Sequence, residues 1–335
     1  MKNDDKPARA TIVDVAKLAG VSTMTVTRVI HKRDKVSSST RQRVEKAIDT
    51  LGYAPNLAAR ALVGSKVRRV CLLYGNPSSA YLGELILGAL KATSEAEVNL
   101  IVEQTDPSLR VADLKTKLNR DWDALIVPPP MSDVLEIRNL VSANRIPAVF
   151  LASASDTGQV NQIRIDDYKA AYEITELLIK KGHRRIGFII GDPSQSVAER
   201  RLEGYRDALT ASGLALDKEC VAQGLFTYRS GEQAALKLLS IKRPPTAIFA
   251  SNDDMAAGAL AAAMQKGLAI PDDIAIAGFD DSPIATTVAP ALTTVRQPVA
   301  KMAEQAVQLV LQPKVGEMPP QTIIAQHNVI ERETT

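Results

Sequence analysis

Three polar stretches each stand just beyond an apolar run. Asn252-Asp253 follows TAIFAS, Asp280-Asp281 follows DIAIAGF, and Arg201 lies in ERRLEGY, downstream of RRIGFIIGD. A buried carboxylate accepts hydrogen bonds from two vicinal hydroxyls, while guanidinium and amide groups donate them. Together they supply the chemistry of sugar binding. Positions just past strand ends are also where open α/β sheets take their ligands. The same residue types serve as helix caps and surface charges, and Asp253 and Asp281 also read as first-turn acids favoured by the helix dipole.

A second constellation lies near the N-terminus. VSTMTVTRVIH, residues 21–31, holds three Thr and three Val, β-branched residues of modest helix propensity. On a helical wheel, Thr23, Thr27, His31, Met24 and Arg28 fill an arc of about 140°, and Thr25, Val29, Val26 and Ile30 fill the opposite one. A helix that enters the major groove needs short side chains near its start. Thr hydroxyls donate or accept there, Thr and Met methyls touch the thymine methyl, and Arg28 can hold guanine in bidentate fashion. A hydroxyl-rich wet face on a three-helix scaffold is the alternative.

The flanking residues position that helix. Thr11 and Asp14 have capping-box spacing, and Ile12, Val15, Ala16 and Ala19 line one face of a first helix that Gly20 ends. Ser22 can cap the second helix. After SSST, Val44, Ala47, Ile48 and Leu51 mark a third helix, with Gly52 as its C-cap. Two short helices around a tight turn, plus a supporting third, make a helix-turn-helix unit. Next, Pro55 can open a short helix, expected over residues 56–62 with Gly64 closing it. About seven residues are too few to be stable alone in water, which suits a hinge that folds when docked. Its stripe of Leu57, Ala58, Ala61 and Leu62 could pair with an identical copy and offer a leucine wedge to a base step.

Charge follows the same division. Residues 1–69 carry 15 Lys/Arg against 6 Asp/Glu, a net +9, whereas residues 70–335 carry 26 against 32, a net −6. A basic head on a mildly acidic body points to a polyanion partner for the head alone. No run of about 18 apolar residues occurs, and the opening MKNDDKPARA is polar, so neither a membrane span nor a secretion signal is expected. The two cysteines, Cys71 and Cys220, form no CxxC and no Cys/His cluster, which argues against a disulfide or zinc site and for the cytoplasm.

From residue 67 onward, strand-like runs alternate with helical patterns. The runs are VRRVCLLYG, VNLIVEQT, DALIVPPP, PAVFLAS, QIRIDD, RRIGFIIGD, TAIFAS, DIAIAGFDD and LTTVRQP, with QTIIAQHNVIER as the last. YLGELILGALKATSEA and YKAAYEITELLIKKG are among the helices between them. Such alternation predicts parallel sheets covered by helices. The absence of G-x-G-x-x-G, a P-loop or spaced metal ligands leaves nucleotide-dependent and metal chemistry without their usual loops.

DVAKLAGVSTMTVTRVIHKRDKVSSSTRQRVEKAIDTLGYAPNLAARAL resembles, without gaps from Ile12 to Leu62, the DNA-binding headpiece of the lactose/galactose repressor (LacI/GalR) family of bacterial transcription regulators. GHRRIGFIIGD, ERRLEGYRDAL, AIFASNDDMAAGAL, IPDDIAIAGFDD and PALTTVRQPVAKMAEQAVQLV match further family motifs, so the resemblance spans essentially the whole chain. It implies an all-α helix-turn-helix headpiece with a hinge helix, followed by a periplasmic-binding-protein-like α/β core of two parallel-sheet subdomains. The expected boundaries are 1–54 for the headpiece, 55–66 for the hinge and 67–335 for the core, with crossings near 162–166 and 290–297.

Carried over by position, the resemblance assigns base reading to Thr23, Met24, Thr27 and Arg28 and minor-groove insertion to Leu62. Thr11, Ser22, Ser37, Thr40, Asn56, Ala59 and Arg60 complete the expected DNA-contacting set. TVTR stands where the family usually has TVSR, and Thr23-Met24 departs from the Tyr-Gln of the family's eponymous member. In the core it assigns ligand hydrogen bonds to Arg201, Asn252 and Asp280, a cleft-bordering place to Gln297 and a stacking place to Phe226. Tyr81 is a second candidate stacking face, and Asp253 is the remaining candidate of the effector set. Ala152 and Val197 depart from polar family positions and make the pocket more apolar.

The function implied is a ligand-controlled repressor of carbohydrate-utilisation genes that binds double-stranded operator DNA as a homodimer at the cytoplasmic nucleoid. It needs no cofactor, metal or membrane. A regulator of a non-sugar effector such as a nucleobase, a sugar-transport binding protein and an α/β enzyme are the competing classes. The headpiece opposes the transport protein, and the three His, at 31, 183 and 327, assemble into no catalytic motif with a Ser or a carboxylate. The dimer contact is expected along YLGELILGALKAT. Only Glu333, Thr334 and Thr335 follow the last strand-like run, which leaves no room for a heptad tail.

Overall fold

The computed structural model describes residues 11–30, 36–51, 68–105, 122–154, 158–313, 315 and 318–335. The chain divides into two compact units, Met1–Val67 and Arg68–Thr335.

In the first unit, α1 (Ile12–Ala19), α2 (Thr23–Ile30) and α3 (Ser38–Leu51) enclose one small core. Thr11 and Asp14 form the capping box predicted for α1, and Gly20 ends that helix at φ 63°, a backbone region open to glycine without a Cβ penalty. Val15, Ala16, Ala19, Val26, Val29, Val44 and Ala47 are buried together. They are small residues, so three short helices approach closely enough for tertiary packing to override the weak propensity of α2.

The second unit is an α/β core of two lobes. The N-terminal lobe carries β1 (Arg69–Tyr74), α4 (Ser79–Glu95), β2 (Asn99–Gln104), β3 (Ala124–Val127), α5 (Leu135–Asn144), β4 (Ala148–Leu151) and β5 (Asn161–Arg164). The C-terminal lobe carries α6 (Asp167–Lys180), β6 (Ile186–Ile190), α7 (Ser196–Ala211), β7 (Val221–Gln223), α8 (Tyr228–Leu238), β8 (Ala247–Ala250), α9 (Asp253–Gln265), β9 (Ala275–Ala277), α10 (Ile284–Thr287) and β10 (Thr294–Arg296). The chain then returns through α11 (Val299–Val310) and β11 (Thr322–Ile324) to the first lobe, and ends with β12 (Asn328–Ile330) in the second.

Both sheets are wholly parallel, in the orders β11-β5-β4-β3-β1-β2 and β7-β6-β8-β9. Alternate strand residues enter different core clusters: Leu72 and Ile126 one and Leu73 and Leu125 another, Phe188 and Phe249 one and Ile189 and Ile248 another. Each sheet is therefore covered on both faces, which is why its strands read as continuous apolar runs. Each order also reverses beside its first strand, between β1 and β3 and between β6 and β8. Such reversals open a crevice at the carboxyl ends of the strands.

Two elements differ from expectation. QTIIAQHNVIER is two strands: β11 pairs parallel with β5, and β12 pairs antiparallel with β10. The chain therefore crosses between lobes a third time, at residues 325–327. Three-residue strands separated by three residues carry no period that could reveal the break. β7 is equally short and gives no sequence signal of its own.

Candidate functional site

The carboxyl ends of the two sheets face each other across a cavity, in the place where open α/β sheets take their ligands. The loop after β1 contributes Asn76, Ser78 and Tyr81, and the turns after β3 and β4 contribute Pro129 and Ala152. Opposite them, Gln195, Val197 and Arg201 follow β6, Phe226 follows β7, Asn252 follows β8, Asp280 follows β9, and Gln297 follows β10. Six of the seven predicted effector residues thus meet in one place.

Asp253 is the exception. It is fully buried behind the cavity wall, where Oδ2 accepts from the Ser282 backbone N–H at 2.8 Å and Oδ1 accepts from the Thr294 hydroxyl at 2.6 Å. Burial, followed by the neighbouring Asp280 charge, raises its pKa well above the usual carboxylate value. It ties the start of α9 to the loop that holds Asp280. Asp281 is not a first-turn acid: it pairs with Arg296 and Arg332, each at 2.5 Å.

Arg201 is 4 % exposed and largely committed. Nε and Nη2 each donate to Asp167 Oδ1 at 2.8 Å, Nη1 donates to the Ser251 carbonyl, and the guanidinium lies 3.7 Å from the centre of the Phe279 ring. Tyr205, Phe188, Phe249 and Phe279 form an aromatic row beneath it, with neighbouring centroids 4.8, 5.1 and 6.5 Å apart. Each buried Phe contributes roughly 1.5–3 kcal/mol of burial, so the arginine rests on a rigid base.

Asp280 has a different environment. Its Oδ1 accepts from Gln297 Nε2 at 2.6 Å, and no salt bridge reaches it among the described residues. Desolvation pushes its pKa up to about 7, against the opposing pull of Arg201. Asn252 Oδ1 caps α9 through the Met255 N–H, and its Nδ2 donates to the Phe226 carbonyl at 3.1 Å. The Tyr81 hydroxyl and Gln297 Oε1 are buried without a hydrogen-bond partner.

Backbone strain collects here too. Ala152, Phe226 and Asp280 have φ of 47°, 57° and 119°. Non-glycine residues held at positive φ cost of order 1–3 kcal/mol and persist where surrounding structure over-determines them. The Phe226 ring fills the space where Gly191 lacks a side chain: a Cβ there would lie 1.9 Å from the ring.

Sequence reasoning missed Asn76, Ser78, Pro129 and Gln195 as lining residues. Asn76 and Ser78 stand directly after VRRVCLLYG, so the strand-end rule that found Asn252 could have found them. Gln195 lies several residues beyond its strand in a polar run, and no local signal separates it from Ser194. Among the described residues, no group of His, Cys, Asp and Glu is arranged to hold a metal ion, and Cys71 and Cys220 are buried and form no disulfide.

In the headpiece, Ser22 Oγ accepts from the Thr25 N–H at 3.2 Å, and Ser37 Oγ accepts from the Thr40 N–H at 3.4 Å, so both serine hydroxyls cap helices. Thr11 donates to Asp14 at 2.6 Å and holds its carboxyl below the usual carboxylate range. Thr23, Met24 and Arg28 are exposed on one face of α2, while Val26 and Val29 are buried on the other. Thr27 is half-buried, and its hydroxyl donates back to the Thr23 carbonyl at 2.9 Å, leaving its oxygen only as an acceptor. His31, Asn56, Ala59, Arg60 and Leu62 lie outside the described residues.

Residues 11–56 match the family described as bacterial regulatory proteins, lacI family, and residues 175–335 match the periplasmic binding protein-like domain. The chain is 35% identical over 331 residues to the HTH-type transcriptional regulator GalR of Escherichia coli strain K12, covering 96% of both. The chain belongs to the lacI family. It is a DNA-binding transcriptional regulator, and its relatives are regulators rather than enzymes. The regulator is also 34% identical over 302 residues to catabolite control protein A of Priestia megaterium, covering 89% of this chain and 91% of that one. Among solved structures it resembles the Lac repressor bound to ONPG, with a TM-score of 0.81 and 27% identity over 98% of this chain and 100% of that one. It also resembles the CelR–cellobiose complex, with a TM-score of 0.73 and 30% identity over 98% and 100%. No helix among the described residues is long and apolar enough to cross a membrane.

Proposed function

We propose that the regulator represses carbohydrate-utilisation genes from a symmetric operator, and that a small uncharged sugar in the interlobe cavity changes its hold on DNA. The charge of the cavity wall carries this reading. Arg201 is neutralised by Asp167, whereas Asp280 stands beside amides and a tyrosine hydroxyl with no cation paired to it. A carboxylate with spare acceptor capacity suits a ligand that donates hydroxyl hydrogens and disfavours one bearing a phosphate or carboxylate. The similar structures solved in complex with cellobiose and with ONPG support a sugar-like effector.

DNA reading is assigned to the exposed face of α2, with Arg28 as the bidentate donor and Thr23, Met24 and Thr27 as short partners. Thr11, Ser22, Ser37 and Thr40 serve phosphate contacts at helix starts, and the hinge residues Asn56, Ala59, Arg60 and Leu62 serve the operator centre. The regulator works as a dimer, because one headpiece reads one half-site. Leu87 and Leu90, exposed at 63 % and 48 % on the outer face of α4, support a dimer contact there. Its place of action is the chromosome in the cytoplasm.

A thermal-shift screen of neutral mono- and disaccharides, sugar phosphates and nucleobases tests the effector class. A neutral sugar should raise the melting temperature and alter a gel shift on the gene's own upstream DNA. Stabilisation by phosphorylated sugars alone, or by a nucleobase alone, would overturn the reading. Light scattering at micromolar concentration should give the mass of two chains, and a mass near four would move assembly to another surface.

A further inference from the structure

Ser196, the first residue of α7, is gripped from the opposite lobe. Its backbone N–H donates to Asp133 Oδ2 at 2.9 Å and its hydroxyl donates to Asp133 Oδ1 at 2.7 Å. Its oxygen accepts from the Ala154 N–H at 2.9 Å. Asp133 closes a 3₁₀ turn (Met131–Asp133) that precedes α5, and Ala154 follows β4, so both belong to the N-terminal lobe. The remaining geometry fixes the direction of each bond. The Arg138 guanidinium donates to the Ser132 carbonyl at 2.9 Å and to Ser153 Oγ, and the Ser153 hydroxyl donates to Asp133 Oδ1 at 2.6 Å. Arg138 and Ser153 are 2 % and 1 % exposed. The acceptor is thus held by a buried frame.

Two details separate this arrangement from an ordinary surface contact. First, the residue at the N-cap of α7, Gln195, makes no side-chain capping bond. An orphan donor of the first turn, which a helix usually satisfies from its own chain, is here satisfied by a carboxylate of the other lobe. By contrast, α9, which starts on the same cavity, is capped by its own Asn252. Second, gripping and lining residues alternate: Ala152 lines the cavity and Ser153 orients the acceptor, while Gln195 and Val197 line it on either side of Ser196. The contact therefore forms the rim of the cavity, on the helix that carries Arg201.

We propose that Asp133 is a positioning residue that clasps the two lobes over the cavity, capping α7 only while the lobes are together. Opening the cleft breaks the bonds to Ser196 and uncaps the helix that presents Arg201. Closure and the seating of Arg201 then become one event. The functional weight of the clasp rests on the cavity being the effector site, but its existence is testable with no ligand present.

Two measurements on the full-length protein separate a clasp from a mere cap. Hydrogen exchange reads the first-turn amides of α7. Pulsed electron resonance reads the interlobe distance between spin labels at Glu136→Cys and Glu199→Cys, in dimers diluted with unlabelled chain. Asp133→Ala should speed exchange at residues 196–198 at least tenfold, leave the first turn of α9 unchanged, and shift the label distance to longer values. Ser196→Ala, which keeps the backbone donor, should lengthen the distance less. Adding Gln195→Asp to Asp133→Ala supplies a cap from within the C-terminal lobe. Exchange at residues 197 and 198 should return toward wild type while the distance stays long. An unchanged distance in Asp133→Ala would overturn the clasp, and so would restoration of the distance by Gln195→Asp. A protein that binds no sugar in the thermal-shift screen but passes these tests would lose its proposed effector and keep its clasp.

Discussion

The headpiece and the core solve the problem of presenting a few polar side chains in opposite ways. In the headpiece the exposed face comes from one helix, so Thr23, Met24 and Arg28 are neighbours in sequence and in space. In the core, residues from Asn76 to Gln297 converge from the ends of eight strands. The first arrangement needs only a helix and something to lean on. The second needs two sheets to close, and it concentrates its cost at the point of closure: a buried ion pair, a carboxylate with a raised pKa and three residues at positive φ. Damage in the headpiece should stay local, whereas damage at the cavity should spread through the core.

The sharpest test removes one partner of the buried pair. Asp167→Ala leaves the Arg201 guanidinium uncompensated in the interior, which costs about 3–5 kcal/mol. Thermal denaturation followed by circular dichroism should show the core melting far earlier and effector binding lost. If Asp167→Ala melts like wild type, the cavity is not the point on which the core depends.

Arg28→Ala should act only in the headpiece. Loss of a bidentate base contact costs roughly 1–3 kcal/mol per half-site, so a dimer should lose most of its preference for operator over unrelated DNA. Effector affinity and the melting temperature of the core should not change. A parallel loss of effector affinity in calorimetry would mean that the two regions are not separable in the way their folds suggest.

Asp280→Asn probes the cavity chemistry more gently. Exchanging a carboxylate for an amide removes an acceptor and leaves a buried mismatch of about 1–3 kcal/mol toward a hydroxyl-rich ligand, while DNA binding without effector should stay near wild type. The pH dependence carries the sign. In the folded protein the Asp280 pKa is raised to about 7, so the unfolded chain ionises first as pH rises. Stability therefore falls between the unfolded carboxylate value and about pH 7, and is level above it. Hydroxyl donors favour the ionised form, so effector affinity should rise with pH toward 7, by up to about tenfold per pH unit. In Asp280→Asn both slopes should flatten. A wild-type slope in the variant would remove Asp280 from the site.

The smallest expected effect again belongs to the headpiece. Ser22→Ala deletes the cap of α2 and should cost about 0.5–2 kcal/mol of headpiece stability, read as faster amide exchange in α2 with none in the core. Faster exchange in the core as well would join two units that differ here in every other respect.

The difference between the regions also governs what could be read from the chain. Over its described residues the headpiece was almost wholly legible, because capping, turn and apolar period are local and each left its mark: Thr11 with Asp14, Gly20, Ser22, and Val26 with Val29. What the helical wheel could not give is the state of Thr27, whose hydroxyl turns inward to the Thr23 carbonyl. In the core, strand-helix alternation predicted parallel sheets, and of the polar residues read beyond strand ends Asn252 and Asp280, with Arg201 further along its helix, line the cavity, joined by Gln297, which the family resemblance supplied. Asp253 followed the same rule and failed it. It differs from Asn252 by one position, and one step around the first turn of α9 moves a side chain from the cavity to the wall behind it.

Composition, charge division and periodicity determined that this chain has a basic helical head and a doubly covered parallel-sheet body, because those signals arise from neighbours along the backbone. Only tertiary structure decided which of two adjacent acids is exposed to the cavity and that QTIIAQHNVIER splits between lobes. It alone brought Asp133 to the start of a helix 63 residues further along the chain. These outcomes depend on how two sheets meet, and the free energy of that meeting is spread over contacts between residues too far apart in sequence to leave a pattern.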